Sequence, residues 1–323
     1  MLNSNQQLQQ LPHPPHSRND KLEYAKLEYS FIQQNSIRIL NKKITKIPHN
    51  IDRKIIVTLT TIPSRLKNIE QTIKSIKNQT IDVDEIVLSL PKVSVREPST
   101  NDPYNIDEVF LKLLKTYNVT LLRCDKDYGP ATKLLGLLTR EINNNTPETE
   151  PLIITIDDDK IYHNNTIEYL LTGWKRNQNC AIGRVGSNII LEPKLKEIIY
   201  KGCVIKKDMN IEILFGTSCI LYRPSFFNKN IFDFKKQYID FNDTAAFFID
   251  DIYISKYLEL NNIQRKLIQF DNNEITSFYK SKIKIDLDSD NRMINPLVNI
   301  NHKNPNYTID LILYFNNLIK KTK

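Results

Sequence analysis

The sequence predicts an α/β fold with a mostly parallel central sheet flanked by helices. Two observations predict this class: short apolar runs of the kind found in buried strands occur from Lys54 onward, and amphipathic stretches with helical spacing alternate with them. A chain of 323 residues fits one such domain with terminal additions better than two independent domains. We expect a flexible leader with a short helix over 1–50, the main domain over 51–270 and a C-terminal extension over 271–323.

Apolar runs place the strands of the first half. Each run is short, rich in Ile, Leu and Val, and followed by polar residues, as in strands that are buried on both faces of a sheet. These predicted strands cover 55–60, 85–90, 119–122 and 152–156.

The stretches between these runs repeat apolar residues at helical spacing. They predict helices over 66–76, 107–116 and 131–141, which would cover the sheet. The second half alternates less clearly and suggests strands over 198–206 and 218–222. Ligands of parallel α/β sheets bind beyond the carboxyl ends of the strands, so we expect the chemistry there.

The charge and the hydropathy of the chain limit its partners. The net charge of +8 and the isoelectric point of about 9.1 favour contact with anions. No aromatic-basic repeat or nucleic-acid motif occurs, so no nucleic acid is expected as a partner. No apolar run reaches the ~18 residues of a spanning helix, so we expect no transmembrane segment and a cytoplasmic location.

The four cysteines are far apart in the sequence. Cys124, Cys180, Cys203 and Cys219 form no Cys-x-x-Cys pair, which argues against a zinc ribbon and a redox motif. We interpret them as small core residues in a reducing compartment.

The strongest signal is the acid triplet Asp157, Asp158 and Asp159 at the end of the predicted strand 152–156. Three carboxylates at one strand end repel each other unless a cation lies among them, and a hard divalent cation with oxygen ligands is a common solution. Strand alternation would direct Asp157 and Asp159 to one side and Asp158 to the other. The alternative is an acidic turn that caps a helix beginning near Asn164.

A second acidic pair, Asp250 and Asp251, opens a predicted helix after the apolar run 247–249. Carboxylates in a first helical turn suit the helix dipole, which is a purely structural explanation. The apolar approach also indicates a desolvated carboxylate, and desolvation raises the proton affinity that a general base needs.

Two other strand-ending segments carry cations. Thr60 to Arg65 follows the first strand, and Gly129 to Lys133 leads into a helix that starts after Pro130. Free amides of that helix and Lys133 would face an anion, although the second glycine of an ATP-binding P-loop is missing. The alternative is that Arg65 and Lys133 are solvated surface charges.

Taken in order, these segments resemble glycosyltransferase family 2. The resemblance rests on Thr-x-Pro-x-Arg, Gly-Pro-x-x-Lys, a strand ending in Asp-Asp-Asp, Gly-x-Ser and Asp-Asp-Ile-x-x-Ser, and it covers about residues 54 to 270. It implies the GT-A (Rossmann-like) nucleotide-sugar-binding fold. The implied activity transfers a hexose or N-acetylhexosamine from a nucleotide diphosphate sugar, of the UDP type, to an acceptor hydroxyl of a glycan or another molecule.

The resemblance also implies roles for single residues. Asp157 and Asp159 correspond to the Asp-x-Asp ligands of a divalent metal, Mn or Mg, and Asp251 corresponds to the catalytic base of an inverting transfer. The strand from Phe215 to Arg223 is similar to the acceptor-side strand of the family. The residues expected to contact the nucleotide sugar are Thr60, Arg65, Lys133, Asp157 and Asp158. We expect Thr60, Lys133, Asp157 and Asp251 to share one cleft.

The chain departs from the family at one position. Many members carry an acid after the second strand that contacts uracil, whereas Leu90 and Pro91 stand there in this sequence. The acceptor motif and membrane helices of processive synthases are missing, which favours a single transfer per encounter.

Other functions stay open at this point. A retaining glycosyltransferase, with His302 as an additional metal ligand, is the nearest alternative. A nucleotidyltransferase and a non-catalytic sugar-binding module are the others, but Thr60 to Arg65 lacks the glycine-rich loop of the former and the acids argue against the latter. Assembly into an oligomer is also left open.

Overall fold

A computed structural model of the chain describes residues 40–41, 43–95, 104, 106–143, 146–191, 196–202, 207–216, 219–234 and 249–269. Most of the expected leader, the whole C-terminal extension, His302 and Cys203 lie outside these residues. Within them, no helix is both long and apolar enough to cross a membrane.

The strands of the described chain form a central sheet of eight strands and a smaller sheet of three. In chain order they are β1 (Ile55–Leu59), β2 (Glu85–Pro91), β3 (Val119–Cys124), β4 (Leu152–Thr155), β5 (Cys180–Gly183), β6 (Val185–Leu191), β7 (Lys196–Gly202), β8 (Met209–Asn210), β9 (Ile213–Leu214), β10 (Ile220–Tyr222) and β11 (Gln264–Leu267).

Helices lie between these strands. They are α1 (Ile69–Lys77), α2 (Glu108–Thr116), α3 (Thr132–Glu141), α4 (Thr166–Arg176), α5 (Asn230–Phe234) and α6 (Asp250–Leu260). Short 3-10 helices precede α1, α3 and α5 at Pro63–Asn68, Gly129–Ala131 and Pro224–Phe226. A proline stands in the first turn of each, where its missing N–H costs no hydrogen bond.

The order of strands in the central sheet is β3-β2-β1-β4-β10-β5-β11-β8. Strands β1 to β4 pair in parallel, and so do β5 and β11. Strand β10 runs antiparallel between β4 and β5, and β8 is antiparallel to β11. The sheet is therefore mostly parallel, with helices against it, as the sequence predicts, and is compatible with a Rossmann-like fold.

The order of the first four strands contains a switch point. The chain proceeds outward from β1 through β2 to β3 and then crosses to the other side of β1 to form β4. The loops after β1 and β4 consequently diverge, and they leave a crevice at the carboxyl ends of these two strands.

Each face of the sheet carries its own apolar core. Successive residues of β1 contribute in turn to one core and to the other, because successive side chains of a strand point to opposite faces of the sheet. Ile55, Val57 and Leu59 pack with residues of α1, α2 and α4. Ile56 packs with residues of α3 and α6 on the other face. All side chains of β1 are fully buried, which explains why its sequence is apolar apart from Thr58.

The predicted elements of the first half are confirmed to within a few residues at their ends. Differences concern mainly the second half: the strand predicted over 198–206 is β7, whose partner β6 the sequence did not reveal. The strand predicted over 218–222 begins at Ile220. Strands β5, β8, β9 and β11 were also missed, because runs of two to four residues carry too little pattern.

Candidate active site

The turn that follows β4 lies at the switch point of the sheet. We call Asp157, Asp158 and Asp159 the acid turn. Strand β4 ends at Thr155, and the last backbone bond that ties this segment to the sheet is from Ile156 N–H to the carbonyl of Thr58, 3.0 Å. The acid turn therefore starts where the sheet stops.

Asp157 is directed toward two lysines. Its Oδ1 lies 2.8 Å from Nζ of Lys133, and its Oδ2 lies 3.9 Å from Nζ of Lys160. Burial would raise the pKa of the Asp157 carboxyl, but the charges of Lys133 and Lys160 outweigh burial and lower it. Asp157 is therefore an ionised carboxylate that already has a cationic partner.

Lys133 connects the acid turn to helix α6. The side chain of Lys133 is 7% exposed, and its Nζ lies 3.2 Å from Oδ2 of Asp250 in addition to its contact with Asp157. Burial opposes the charge of Lys133, but Asp157, Asp250 and Asp251 raise its pKa well above the usual range. The interpretation of Lys133 as a solvated surface lysine is therefore wrong.

Asp158 is directed to the opposite side of the acid turn. It accepts a hydrogen bond from the Thr61 hydroxyl, and its Oδ1 lies 3.2 Å from Nη1 of Arg65. Its backbone carbonyl accepts a hydrogen bond of 2.9 Å from the hydroxyl of Thr72. Asp158 thus ties the loop after β1 to the loop after β4. The side chain of Arg65 is 12% exposed, so Arg65 is not a solvated surface charge either.

Asp159 is the most exposed carboxylate of the acid turn, with 34% of its side chain accessible. Its Oδ2 lies 3.5 Å from Nη1 of Arg65. Burial, followed by the charges of Asp158 and Asp157, raises the pKa of Asp159 to about 6. The expected pairing of Asp159 with Asp157 on one side is wrong: Asp159 shares Arg65 with Asp158, because the strand alternation ends with β4.

The capping explanation of the acid triplet is also wrong. Helix α4 begins at Thr166, well beyond the acid turn, and its N-cap residue is Asn165. The side chain of Asn165 makes no capping hydrogen bond. The acids therefore do not serve the start of this helix.

Asp251 lies in the first turn of α6. Its Oδ1 accepts a hydrogen bond of 2.8 Å from the backbone N–H of Gly216, in the segment between β9 and β10. Burial and the neighbouring charge of Asp250 raise the pKa of Asp251 to about 8, although Lys133 and the Gly216 amide lower it in part. The carboxyl has the proton affinity of a base that works near neutral pH.

Gly216 brings Asp251 and Lys133 onto the same side of the site. A Cβ atom at Gly216 would lie 3.0 Å from Oδ1 of Asp251 and 3.1 Å from Nζ of Lys133. Both distances are shorter than ordinary van der Waals contact, so a side chain at residue 216 would have to push Asp251 and Lys133 away by a few tenths of an ångström. The sequence marks Gly216 as part of a motif but gives no sign of these two neighbours.

Thr60 occupies the end of β1. Its side chain is 6% exposed, and its hydroxyl has no hydrogen-bond partner within the described part of the chain. Two residues earlier, the hydroxyl of Thr58 donates a hydrogen bond of 2.6 Å to the carbonyl of Lys133. Buried hydroxyls usually find a partner, so Thr60 is a candidate contact for a ligand.

The negative charges of the ionisable groups at this edge outnumber the positive charges. The charges joined here are the carboxylates of residues 157, 158, 159, 250 and 251 and the cations of residues 65, 133 and 160. With all groups ionised, two negative charges are left over. A bound cation would neutralise the excess, which adds to the larger effect of burial in raising the pKa of Asp159 and Asp251.

The acid turn offers a divalent metal no complete set of ligands, and Asp159 is its most accessible carboxylate. Among the residues that the structure describes, no group of three or more His, Cys, Asp or Glu side chains could hold a metal ion. Mg²⁺ is commonly held by one or two carboxylates together with substrate phosphates. Asp159, the most exposed acid of the turn, and the excess negative charge fit such a site if a phosphate ligand completes it, whereas Asp157 already has Lys133 as its cationic partner.

The structure thus brings Thr60, Arg65, Lys133, Asp251 and the acid turn to the carboxyl edge of one sheet. The structure adds Asp250 to this set. Its position next to Asp251 was clear from the sequence, but its ion pair with Lys133 was not. Comparisons with known proteins add nothing to the geometry, since no protein-family model and no curated protein matches the chain.

Proposed function

We propose that this chain is a metal-dependent glycosyltransferase with a GT-A type of fold. It transfers a hexose or N-acetylhexosamine from a nucleotide diphosphate sugar, of the UDP type, to an acceptor hydroxyl, and it inverts the anomeric centre. The proposal starts from the resemblance to glycosyltransferase family 2 and is supported by contacts that the sequence alone does not reveal.

One observation carries the proposal. The acid turn, at the switch point of the sheet, and Asp251, at the start of α6, lie on either side of one buried lysine, since Lys133 contacts Asp157 at 2.8 Å and Asp250 at 3.2 Å. A sugar transfer needs an anion-binding region for the leaving diphosphate and a base for the acceptor. These two requirements match the two acidic groups that Lys133 connects.

The acid turn supports the donor side. Asp159 would hold Mn²⁺ or Mg²⁺ together with the diphosphate, and Asp157 would assist only where the cation takes the place of its ion pair with Lys133. When bound, such a cation neutralises charge that develops on the leaving diphosphate. Arg65 is within 3.5 Å of Asp159 and can donate hydrogen bonds to phosphate oxygens from the same side. The Thr60 hydroxyl supplies a further donor.

Lys133 does not contact the diphosphate in this proposal, although its position in the sequence suggests that it would. Its ammonium group is enclosed by Asp157 and Asp250, so a direct contact with the diphosphate would have to replace one of these ion pairs. We assign Lys133 the task of holding the two acidic groups at a fixed separation. The anion then meets the exposed edge of the acid turn.

Asp251 supports the acceptor side. In the proposed step the acceptor oxygen forms a bond to the anomeric carbon, the bond from that carbon to the diphosphate oxygen breaks, and the hydroxyl proton passes to the carboxylate of Asp251. The Gly216 amide, 2.8 Å from Oδ1, fixes the orientation of the carboxylate. A base so placed favours inversion over the retaining alternative.

The proposal is tested by a screen of nucleotide sugars. The purified chain is incubated with UDP- and GDP-hexoses and UDP-N-acetylhexosamines, with Mn²⁺, with Mg²⁺ and with a chelator, and released nucleoside diphosphate is measured. We expect release from at least one donor, and only with metal. Release of pyrophosphate from a nucleoside triphosphate and a sugar phosphate would instead identify a nucleotidyltransferase. Binding without any release would favour a sugar-binding module.

A further inference from the structure

The backbone of the acid turn is held by side chains and not by the sheet. Asp157 is the first residue after β4 whose N–H is not used by a neighbouring strand, and this N–H donates a hydrogen bond of 2.8 Å to the hydroxyl of Tyr162. The carbonyl of Asp158 accepts a hydrogen bond of 2.9 Å from the hydroxyl of Thr72. The peptide groups that join 156 to 157 and 158 to 159 thus depend on two side chains.

These two side chains belong to one buried network. The backbone N–H of Tyr162 donates to the hydroxyl of Ser75 at 3.1 Å, and that hydroxyl donates to the carbonyl of Thr72 at 2.7 Å. Tyr162, Thr72 and Ser75 are all fully shielded from solvent. We call these three residues the brace. Hydrogen bonds within a low-dielectric interior are strong, so the brace fixes the acid turn firmly against α1.

The position of the brace separates it from the ligand. Thr72 and Ser75 lie on α1, which packs on one face of the sheet, whereas Lys133 reaches Asp157 from α3 on the other face. The brace can therefore reach a bound metal or nucleotide only through the backbone of Asp157 and Asp158. Removing a group that hydrogen-bonds a metal-ligating residue without touching the metal typically weakens metal binding by ~10–100-fold.

We infer that Tyr162 is a positioning residue for the acid turn, and that its hydroxyl, with that of Thr72, sets the affinity of the chain for a nucleoside diphosphate with a divalent cation. This inference rests on the proposed function. The hydroxyl of Tyr162 fixes the peptide of Asp157, and the hydroxyl of Thr72 fixes the peptide of Asp158, so that the carboxylates on both sides of the turn keep their directions.

The chain offers a matched control for Tyr162→Phe. Tyr257 is also buried, and its hydroxyl likewise accepts a backbone N–H, that of Asn228 at 3.2 Å. Asn228 lies after β10 and has no contact with the acid turn among the described hydrogen bonds. Tyr257→Phe therefore removes the same kind of hydrogen bond at a site that the inference does not involve.

The experiment measures binding by calorimetry. Mn²⁺ is titrated into the wild type, Tyr162→Phe and Tyr257→Phe, and uridine or guanosine diphosphate is then titrated in the presence of Mn²⁺. We expect Tyr162→Phe to weaken diphosphate binding by ~10-fold or more and Tyr257→Phe to leave it unchanged, with both variants melting at similar temperatures. Equal affinities in the wild type and Tyr162→Phe would overturn the inference alone. No binding of either diphosphate to the wild type would overturn the proposed function with it.

A second pair of variants decides the question if Tyr162→Phe does not fold. Thr72→Val removes the hydroxyl that Asp158 uses, while Thr72→Ser keeps it. We expect weak Mn²⁺-dependent diphosphate binding in Thr72→Val and near wild-type binding in Thr72→Ser. Equal binding by the two variants would contradict a role of the hydroxyl.

Discussion

Lys133 and Asp157 form a buried ion pair of 2.8 Å between helix α3 and the turn after β4. Because the same ammonium group also lies 3.2 Å from Asp250, its removal leaves two carboxylates without their main cation. Breaking a buried ion pair on one side typically costs ~3–5 kcal/mol. We expect Lys133→Met to lower the free energy of unfolding by about this amount, as measured by urea denaturation near neutral pH.

The control for this variant is Lys67→Met, which changes an exposed lysine in the turn before α1. Its effect should stay within ~0.5 kcal/mol. If Lys133→Met is as stable as Lys67→Met, the buried ion pair does not support the fold, and the bridging role of Lys133 is lost.

Asp251→Asn should separate binding from chemistry. The amide keeps the size of the side chain and can still accept from Gly216, but it cannot take a proton from the acceptor. We expect the rate of sugar transfer to fall by ~10²–10⁴ while the affinity for the nucleoside diphosphate stays nearly constant. Single-turnover transfer and calorimetric titration measure the two quantities.

Asp250→Asn is a poor control for this measurement, because Asp250 is itself an ion-pair partner of Lys133. Glu108→Gln is better matched: Glu108 is an exposed acid in the first turn of α2, away from the site. A full transfer rate in Asp251→Asn, with a loss in Asp250→Asn, would assign the base to the neighbouring residue.

The pKa of Asp251, raised to about 8 from an ordinary value of 3.8, has opposite consequences for stability and activity. Protonated Asp251 favours the folded state, so its contribution to stability is fully present below pH ~4 and is lost as the pH rises through about 8. The base is active only when ionised, so the transfer rate should rise over the same range and level off above pH ~8.

Asp251→Asn should remove both effects. We expect the variant to lose the rise of activity with pH, and its melting temperature should fall less than that of the wild type between pH 5 and 8. Rate profiles at saturating donor and thermal melts across this range provide the test. A wild-type rate that is independent of pH here would speak against Asp251 as the base.

Metal and nucleotide should bind together, because the acid turn supplies only part of a coordination shell. We expect Mn²⁺ alone to bind weakly and to raise the affinity for the nucleoside diphosphate, which by linkage must raise the affinity for Mn²⁺ by the same factor. Asp159→Asn should lower the metal-dependent affinity by at least ~10-fold and stop transfer. Calorimetry with and without a chelator measures this coupling.

The reference variant here is Asp125→Asn, since Asp125 is a fully exposed acid whose partner is the surface residue Lys92. It should bind metal and nucleotide like the wild type. Identical nucleotide affinities with and without metal would exclude the metal role of the acid turn.

Residues 54 to 160 could be interpreted well from the sequence, because each element there carries its own pattern. Strands β1 and β4 are buried on both faces and are apolar except for one threonine each, Thr58 and Thr155. The carboxyl ends of parallel strands meet at one edge of a sheet, so the gathering of Thr60 and the acid turn could be foreseen, whereas the strand order that creates the switch point could not.

The contacts within the site could not be foreseen in the same way. Whether Lys133 is solvated or buried depends on α6, which lies more than a hundred residues further along the chain. The direction of the Asp159 side chain depends on where β4 ends, because a shift of one residue along a strand reverses the side to which a side chain points. The hydroxyl of Tyr162 reaches back to Asp157 across a turn whose shape no periodicity encodes.

Strand β10 has a consequence for how the chain is synthesised. It lies antiparallel between β4 and β5. Both of these strands are synthesised before Ile220–Tyr222, which must therefore be inserted between them. Until then β4 has an open edge, with the unpaired N–H and C=O groups that invite pairing with another chain. A nascent chain that stalls before residue 220 is therefore a candidate for chaperone binding, and fragments that end there should aggregate.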